Sequence, residues 1–233
     1  MKIAIMQPYF IPYIGYFQLM NTVDRFVVYD NIQYTKKGWI NRNRLLVNGQ
    51  AEYISLPLKK DSDFLHVNQR YLADAFKDEK QKFLRKIEAG YRKAPYFTDV
   101  YNLFQRIVEL EEYNLFDFLL NSLKEIASYL GIHTEIIISS NLNIDHNLKG
   151  SDKVIEICKT LKAEKYINPI GGKELYSKGD FLNKGIELFF IKTNEFEYSQ
   201  FKNDFLPFLS IVDVMMFNSK DKISAYLDEF ILE

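Results

Sequence analysis

The stretch that decides the fold is Ile3-Ala-Ile-Met-Gln-Pro-Tyr-Phe-Ile-Pro-Tyr-Ile-Gly-Tyr16. Ile3 to Met6 is a short, unbroken apolar run, the pattern of a strand buried on both faces in a parallel sheet. Pro8 and Pro12 bracket a loop, and Ile14 to Asn21 shows helical spacing. Phe26 to Tyr29 is a second buried run that ends at Asp30. Strand, proline- and glycine-bearing loop, short helix and strand make a βαβ beginning.

The same signals extend along the chain. Asn48-Gly49 lies between Leu45–Val47 and Ala51–Leu56, a hairpin signature because both turn residues need positive φ. Helical patterns follow at Asp78–Tyr91, Asp99–Leu110 and Leu115–Leu130, the last capped by Gly131. Strand patterns return at Thr134–Ile138, Lys165–Asn168 and Ile186–Ile191, with a helix at Ser151–Leu161 between the first two. Ser210–Asn218 and Lys220–Leu232 read as two closing helices. The expected fold is α/β: a Rossmann-like parallel sheet with a helical insertion between its two halves. The expected organisation is a single α/β domain over 1–233, with 72–131 as a helical insertion or flanking layer.

Composition narrows the function. The 233 residues carry a formal net charge of −1, so bulk electrostatics give no reason to expect nucleic-acid binding. No apolar run approaches the ~20 residues that cross a bilayer. Cys158 is the sole cysteine, so no intrachain disulfide forms. These features predict a soluble, cytoplasmic protein without a membrane span. His66, His133 and His146 are isolated, which predicts no metal site.

Four segments leave the ends of predicted strands, where open α/β sheets bind ligands. Gln7 to Tyr16 enters the first helix; Gly15 permits close backbone approach, and helix N-termini favour anions. Its bland alternative is a rigid proline-rich turn packed with aromatics. Asp30 to Arg44 holds Gln33, Lys36, Lys37, Arg42 and Arg44, which suit a phosphate or diphosphate. It also holds Asn41, Asn43 and the sole tryptophan, Trp39; Trp39 or Tyr34 could stack on a base or sugar. A solvated basic loop is the competing reading. Lys149-Gly-Ser-Asp152 reads either as a helix cap or as one further phosphate contact at Lys149. Gly171-Gly172 can present backbone N–H groups to an anion.

These blocks resemble a known family. Met6-Gln-Pro-Tyr-Phe-Ile-Pro-Tyr-Ile-Gly-Tyr-Phe17, Tyr29-Asp-Asn-Ile-Gln-Tyr34, Trp39-Ile-Asn-Arg-Asn43, Lys149-Gly150, Tyr166 with Gly171-Gly172, and Leu209-Ser-Ile-Val-Asp213 are similar to the WbqC-like family of bacterial surface-polysaccharide loci. That resemblance implies a role in making O-antigen or capsule sugars. The first βαβ also resembles, more distantly, the HIGH-type nucleotidyltransferase and adenylate-forming ligase fold. Where that fold carries HxGH, this chain has Tyr13-Ile-Gly-Tyr16, and tyrosine carries no positive charge near neutral pH.

The resulting expectation is a transferase placing an acyl or aminoacyl group on a nucleotide-linked amino sugar, with no cofactor. The donor would be a preactivated acyl group, such as a carrier-protein or coenzyme A thioester. Asp30 is the expected base, and Tyr13, Tyr16 and Gln7 are the expected oxyanion or orienting groups. Gly15, Gln33, Lys36, Lys37, Trp39, Asn41, Arg42, Lys149, Gly171 and Gly172 are the expected substrate contacts. The alternatives are a nucleotidyltransferase with HxGH replaced and a non-catalytic protein that binds nucleotide sugars or a carrier protein. The sequence leaves the oligomeric state open.

Overall fold

The computed structural model describes residues 1–202 and 204–233. The chain begins with β1 (Lys2–Met6), α1 (Ile14–Thr22) and β2 (Arg25–Val28), then forms a hairpin of β3 (Arg42–Val47) and β4 (Gln50–Ser55). Three helices follow: α2 (Phe76–Tyr91), α3 (Phe97–Glu109) and α4 (Leu115–Tyr129). The second half runs β5 (Glu135–Ile138), α5 (Gly150–Thr160), β6 (Lys165–Pro169), α6 (Lys178–Leu182) and β7 (Glu187–Thr193). It closes with α7 (Ile211–Phe217), α8 (Lys220–Leu227) and β8 (Phe230–Leu232).

Among the described residues, six strands form one sheet in the order β5-β2-β1-β6-β7-β8. The first five are parallel and β8 runs antiparallel to β7. This is a mostly parallel, Rossmann-like sheet whose direction of winding reverses between β1 and β6. Both faces are covered, as parallel sheets require. Side chains alternate along β1, so Ile3 and Ile5 join one core layer with Val27 and α5, while Ala4 joins the other with Phe26 and α1.

The two core layers explain why the apolar runs were readable. Residues Ile14 to Met20 of α1 are all buried, including Gln18. Burial on every side explains the absence of a clean amphipathic stripe. Gln18 is satisfied because its amide donates to the carbonyls of Tyr226 at 2.8 Å and Glu229 at 3.0 Å, and its Oε1 accepts from the Thr193 hydroxyl at 2.7 Å. The Asn48-Gly49 turn has φ of 51° and 76°, the left-handed pair that a two-residue hairpin needs.

One expectation is corrected. The final helix does not extend to Leu232: α8 stops at Leu227, and Phe230–Leu232 pairs with Thr193–Ile191. An apolar triplet such as Phe-Ile-Leu suits either structure, and here the open edge of β7 takes it as a strand. No described helix is long and apolar enough to cross a membrane.

Candidate ligand-binding site

The loop from Gln7 to Tyr13 leaves the C-terminal end of β1 and is fixed at both ends. Phe10 N–H donates to the Trp39 carbonyl at 3.1 Å. The buried Asn43 amide donates to the carbonyls of Phe10 and Ile11 at 3.0 and 2.9 Å. Ser210 Oγ donates to the Ile11 carbonyl at 2.7 Å, and Ile211 N–H donates to the Pro12 carbonyl at 2.9 Å. Ile11 itself has φ of 38°, an unfavourable conformation for a β-branched residue. Such strain persists only where the surroundings over-determine it, and two donors on one carbonyl do so. The three sequence blocks around Gln7, Trp39 and Leu209 are therefore one stitched structure.

This structure presents two adjoining pockets. The smaller, about 150 Å³, is lined by Tyr9, Pro12, Tyr13, Trp39, Arg44 and Phe208, among others. The larger, about 370 Å³, lies between the start of α1, Thr193 at the end of β7 and the irregular segments 194–198 and 205–209. Tyr13 and Phe208 belong to both, their rings 6.4 Å apart and inclined at 68°. Tyr13 thus stands at the partition. Burial pushes its hydroxyl above the ordinary value, an effect partly offset by the neighbouring Thr193 hydroxyl. It is a neutral donor at physiological pH.

Arg44 is the cation that faces the smaller pocket. Its guanidinium carbon lies 5.7 Å from the Trp39 ring, and its Nη2 donates to the Phe208 carbonyl at 3.0 Å. Its Nε is buried and has no partner among the described residues. A guanidinium lining a pocket beside a part-exposed indole is an arrangement that suits an anion attached to a ring.

Arg42 is differently occupied. Its Nε donates to the Gly38 carbonyl at 3.0 Å and its Nη2 to the Lys37 carbonyl, while its guanidinium lies 5.9 Å from the Trp39 ring and 5.1 Å from the Tyr53 ring. Lys37 is exposed, with φ of 70°, so Arg42 clamps a left-handed turn. Asn41 donates to the Leu56 carbonyl at 2.9 Å and accepts from Tyr34 at 2.8 Å. Gln33 and Lys36 both reach Asp63, Gln33 through the carbonyl at 2.9 Å and Lys36 through the carboxylate at 2.6 Å. Tyr16 is buried and donates to the Gln7 carbonyl at 3.0 Å, which turns its hydroxyl toward the loop that follows β1.

Asp30 belongs to a second polar group, at the ends of β2 and β5. Its carboxylate is 1% exposed; Oδ1 accepts from Ser140 N–H at 2.9 Å and Oδ2 from Asn68 at 2.7 Å. Next to it, Asn31 meets His146 Nδ1 at 2.9 Å and accepts from Ser139 Oγ at 2.7 Å. His146 Nε2 faces the Leu142 carbonyl at 3.0 Å. Lys153, on α5, is 2% exposed; its ammonium donates to the His146 carbonyl at 3.2 Å and lies 4.9 Å from the Tyr29 ring. Burial pushes its pKa down, while Asp30 and Asp145 push it back up.

The remaining expected contacts lie along the same edge. Lys149 is exposed at the N-cap of α5 and makes no capping bond. Gly171 is exposed with open space beside it, whereas a Cβ at Gly172 would fall 2.1 Å from Asn168 Nδ2. Asn168 is held by the buried Tyr166 hydroxyl at 3.0 Å. The structure therefore groups Tyr13 and Trp39 with Arg44, and groups Asp30 with Asn68, His146 and Lys153. The second set of partners, along with Thr193 and Phe208, carried no motif of its own. Lys153 had one signal: it lies one helical turn beyond Lys149.

Comparison with known proteins follows this geometry. The model of the WbqC-like protein family matches residues 7–225, which includes every residue that lines the two pockets. An uncharacterized protein of Mycobacterium tuberculosis, Rv1507c, is 29% identical over 229 residues, covering 97% of each chain. No solved structure gives a significant match. The chain belongs to the WbqC-like protein family.

Proposed function

We propose that this protein is a transferase that places an acyl or aminoacyl group on the amine of a nucleotide-linked amino sugar, in the making of surface-polysaccharide sugars. The observation that carries this reading is the Arg44 guanidinium beside the Trp39 ring, in a pocket that Tyr13 also lines. In this reading Arg44 holds the diphosphate and Trp39 stacks on the base or sugar. The larger pocket, on the other side of Tyr13, receives the acyl group of a thioester donor.

The step is an acyl transfer. The amine nitrogen forms a bond to the thioester carbonyl carbon, the C–S bond breaks, and the amine's surplus proton passes to the departing thiolate. Tyr13, kept protonated by burial, supplies the hydrogen bond to the carbonyl oxygen as negative charge grows there. Asp30, with both carboxylate oxygens taken, acts in this reading by holding the ends of β2 and β5 in place. Lys153 adds positive charge behind that edge.

The test is direct. Purified protein is incubated with nucleoside-diphosphate amino sugars and acyl or aminoacyl thioesters, and amide formation is followed by mass spectrometry. Amide product that depends on the enzyme supports the reading. Pyrophosphate release from a nucleoside triphosphate and sugar phosphate would establish nucleotidyl transfer in its place. Binding without turnover of any pair would leave a carrier of nucleotide sugars.

A further inference from the structure

The two pockets differ in charge as well as size. Arg44 lines the smaller one, whereas none of the described residues lining the larger one is basic. The larger one is walled by the rings of Tyr13, Phe196, Tyr198, Phe205 and Phe208, and Glu195 and Glu197 also line it. Behind Tyr198, its hydroxyl donates to the buried Asp213 carboxylate at 2.7 Å. Aromatic faces attract a cation through their quadrupoles, and the neighbouring carboxylates add to that field. Glu195 and Glu197, both exposed, would repel an anionic guest, and a plain hydrocarbon guest would leave their field unused.

From this combination we propose that the larger cavity takes an ammonium-bearing acyl group, so that the donor is an aminoacyl thioester. The proposal rests on the acyl-transfer reading and chooses between its two donor classes. The ammonium lies among Glu195, Glu197 and the rings, and the acyl carbon points back to Tyr13. The cavity's size, at the lower end of the range for small-molecule pockets, suits an aminoacyl unit rather than a long fatty chain.

Three amides of similar shape test it: β-alaninamide, which ends in an ammonium; butanamide, which ends in a methyl; and succinamate, which ends in a carboxylate. Their binding to the full chain is followed by the fluorescence of Trp39, the sole tryptophan, and by saturation-transfer NMR. β-Alaninamide is expected to bind at least roughly tenfold more tightly than butanamide, and succinamate not to bind. Glu195→Gln combined with Glu197→Gln should erase the preference while leaving nucleotide-sugar binding intact. Equal or tighter binding of butanamide, a preference that survives the double substitution, or no binding of β-alaninamide overturns the proposal. Failure of nucleotide sugars to bind, with the ammonium preference intact, overturns the transferase reading alone.

Discussion

Tyr13 lies across Gly15: a Cβ placed on Gly15 would fall 2.5 Å from two of the Tyr13 ring carbons. The glycine is needed by its neighbour's ring rather than by an unusual backbone angle. The clashing atoms form the far end of a side chain, so the ring can swing aside. Gly15→Ala should therefore fold, with a stability loss of about 1–2 kcal/mol, while displacing the partition between the pockets. Thermal melting and nucleotide-sugar titration together check this. A variant that binds as the parent does would show that the Tyr13 position is irrelevant to the ligand.

Two adjacent glycines should behave differently. Gly171→Ala meets open space and should be nearly silent. Gly172→Ala would drive its methyl into the Asn168 amide, which the Tyr166 hydroxyl holds from behind. It should cost about 1–3 kcal/mol. Urea unfolding of both variants reads the contrast, and equal midpoints would contradict the packing described at the end of β6.

Asp213 sets a pH dependence. It is fully buried, and burial pushes its carboxyl up to about 6, against hydrogen bonds from Tyr198 and Gln200 that favour the charged form. Below pH ~4 the folded and unfolded chains both hold this proton. As pH rises, the unfolded chain releases it first, so the group's contribution to stability falls between pH ~4 and ~6 and is level above that, a change of about 3 kcal/mol. Asp213→Asn should lack this term. The stability difference between variant and parent should thus shift in the variant's favour by that amount from pH 4 to pH 7. A difference independent of pH would contradict the account.

Cys158 should be inert. Burial pushes its thiol up to about 12, and it lies wholly within the core layer that contains α5. A thiol-specific reagent at pH 8 should label it only at the rate of unfolding. Prompt labelling of the native protein would show that this layer is open.

The β1-α1-β2 start was legible because strands buried on both faces leave unbroken apolar runs, and Asn48-Gly49 announced its turn through the φ values it must adopt. The strand at Phe230–Leu232 was not legible, because the edge of β7 decides it. The surroundings of the candidate site were half legible. Tyr13 and Trp39 line one pocket, each on a loop that follows a strand. The basic segment did not disclose which arginine faces the pocket: Arg42 is taken by carbonyls four and five residues away, and Arg44 reaches Phe208, 164 residues along the chain. The amides of Asn41 and Asn43 looked like ligand contacts, yet they secure the backbone of Leu56, Phe10 and Ile11. Directional side chains serve a loop and a ligand equally well, and composition does not tell the two uses apart.

The measurement that tests the central claim most directly is calorimetric titration of a nucleoside-diphosphate amino sugar into the parent, Arg44→Ala and Arg42→Ala. Arg44→Ala should lose about 2–4 kcal/mol of binding free energy, the scale for deleting one partner of a charged hydrogen bond in a partly dry pocket. Arg44→Lys should recover only part of this, since an ammonium cannot reproduce the planar fork. Arg42→Ala should chiefly lower the melting temperature, because it releases the turn at Lys37 and Gly38. Unchanged affinity in Arg44→Ala, beside measurable binding by the parent, would contradict the assignment of the Tyr13, Trp39 and Arg44 pocket as the nucleotide-sugar site.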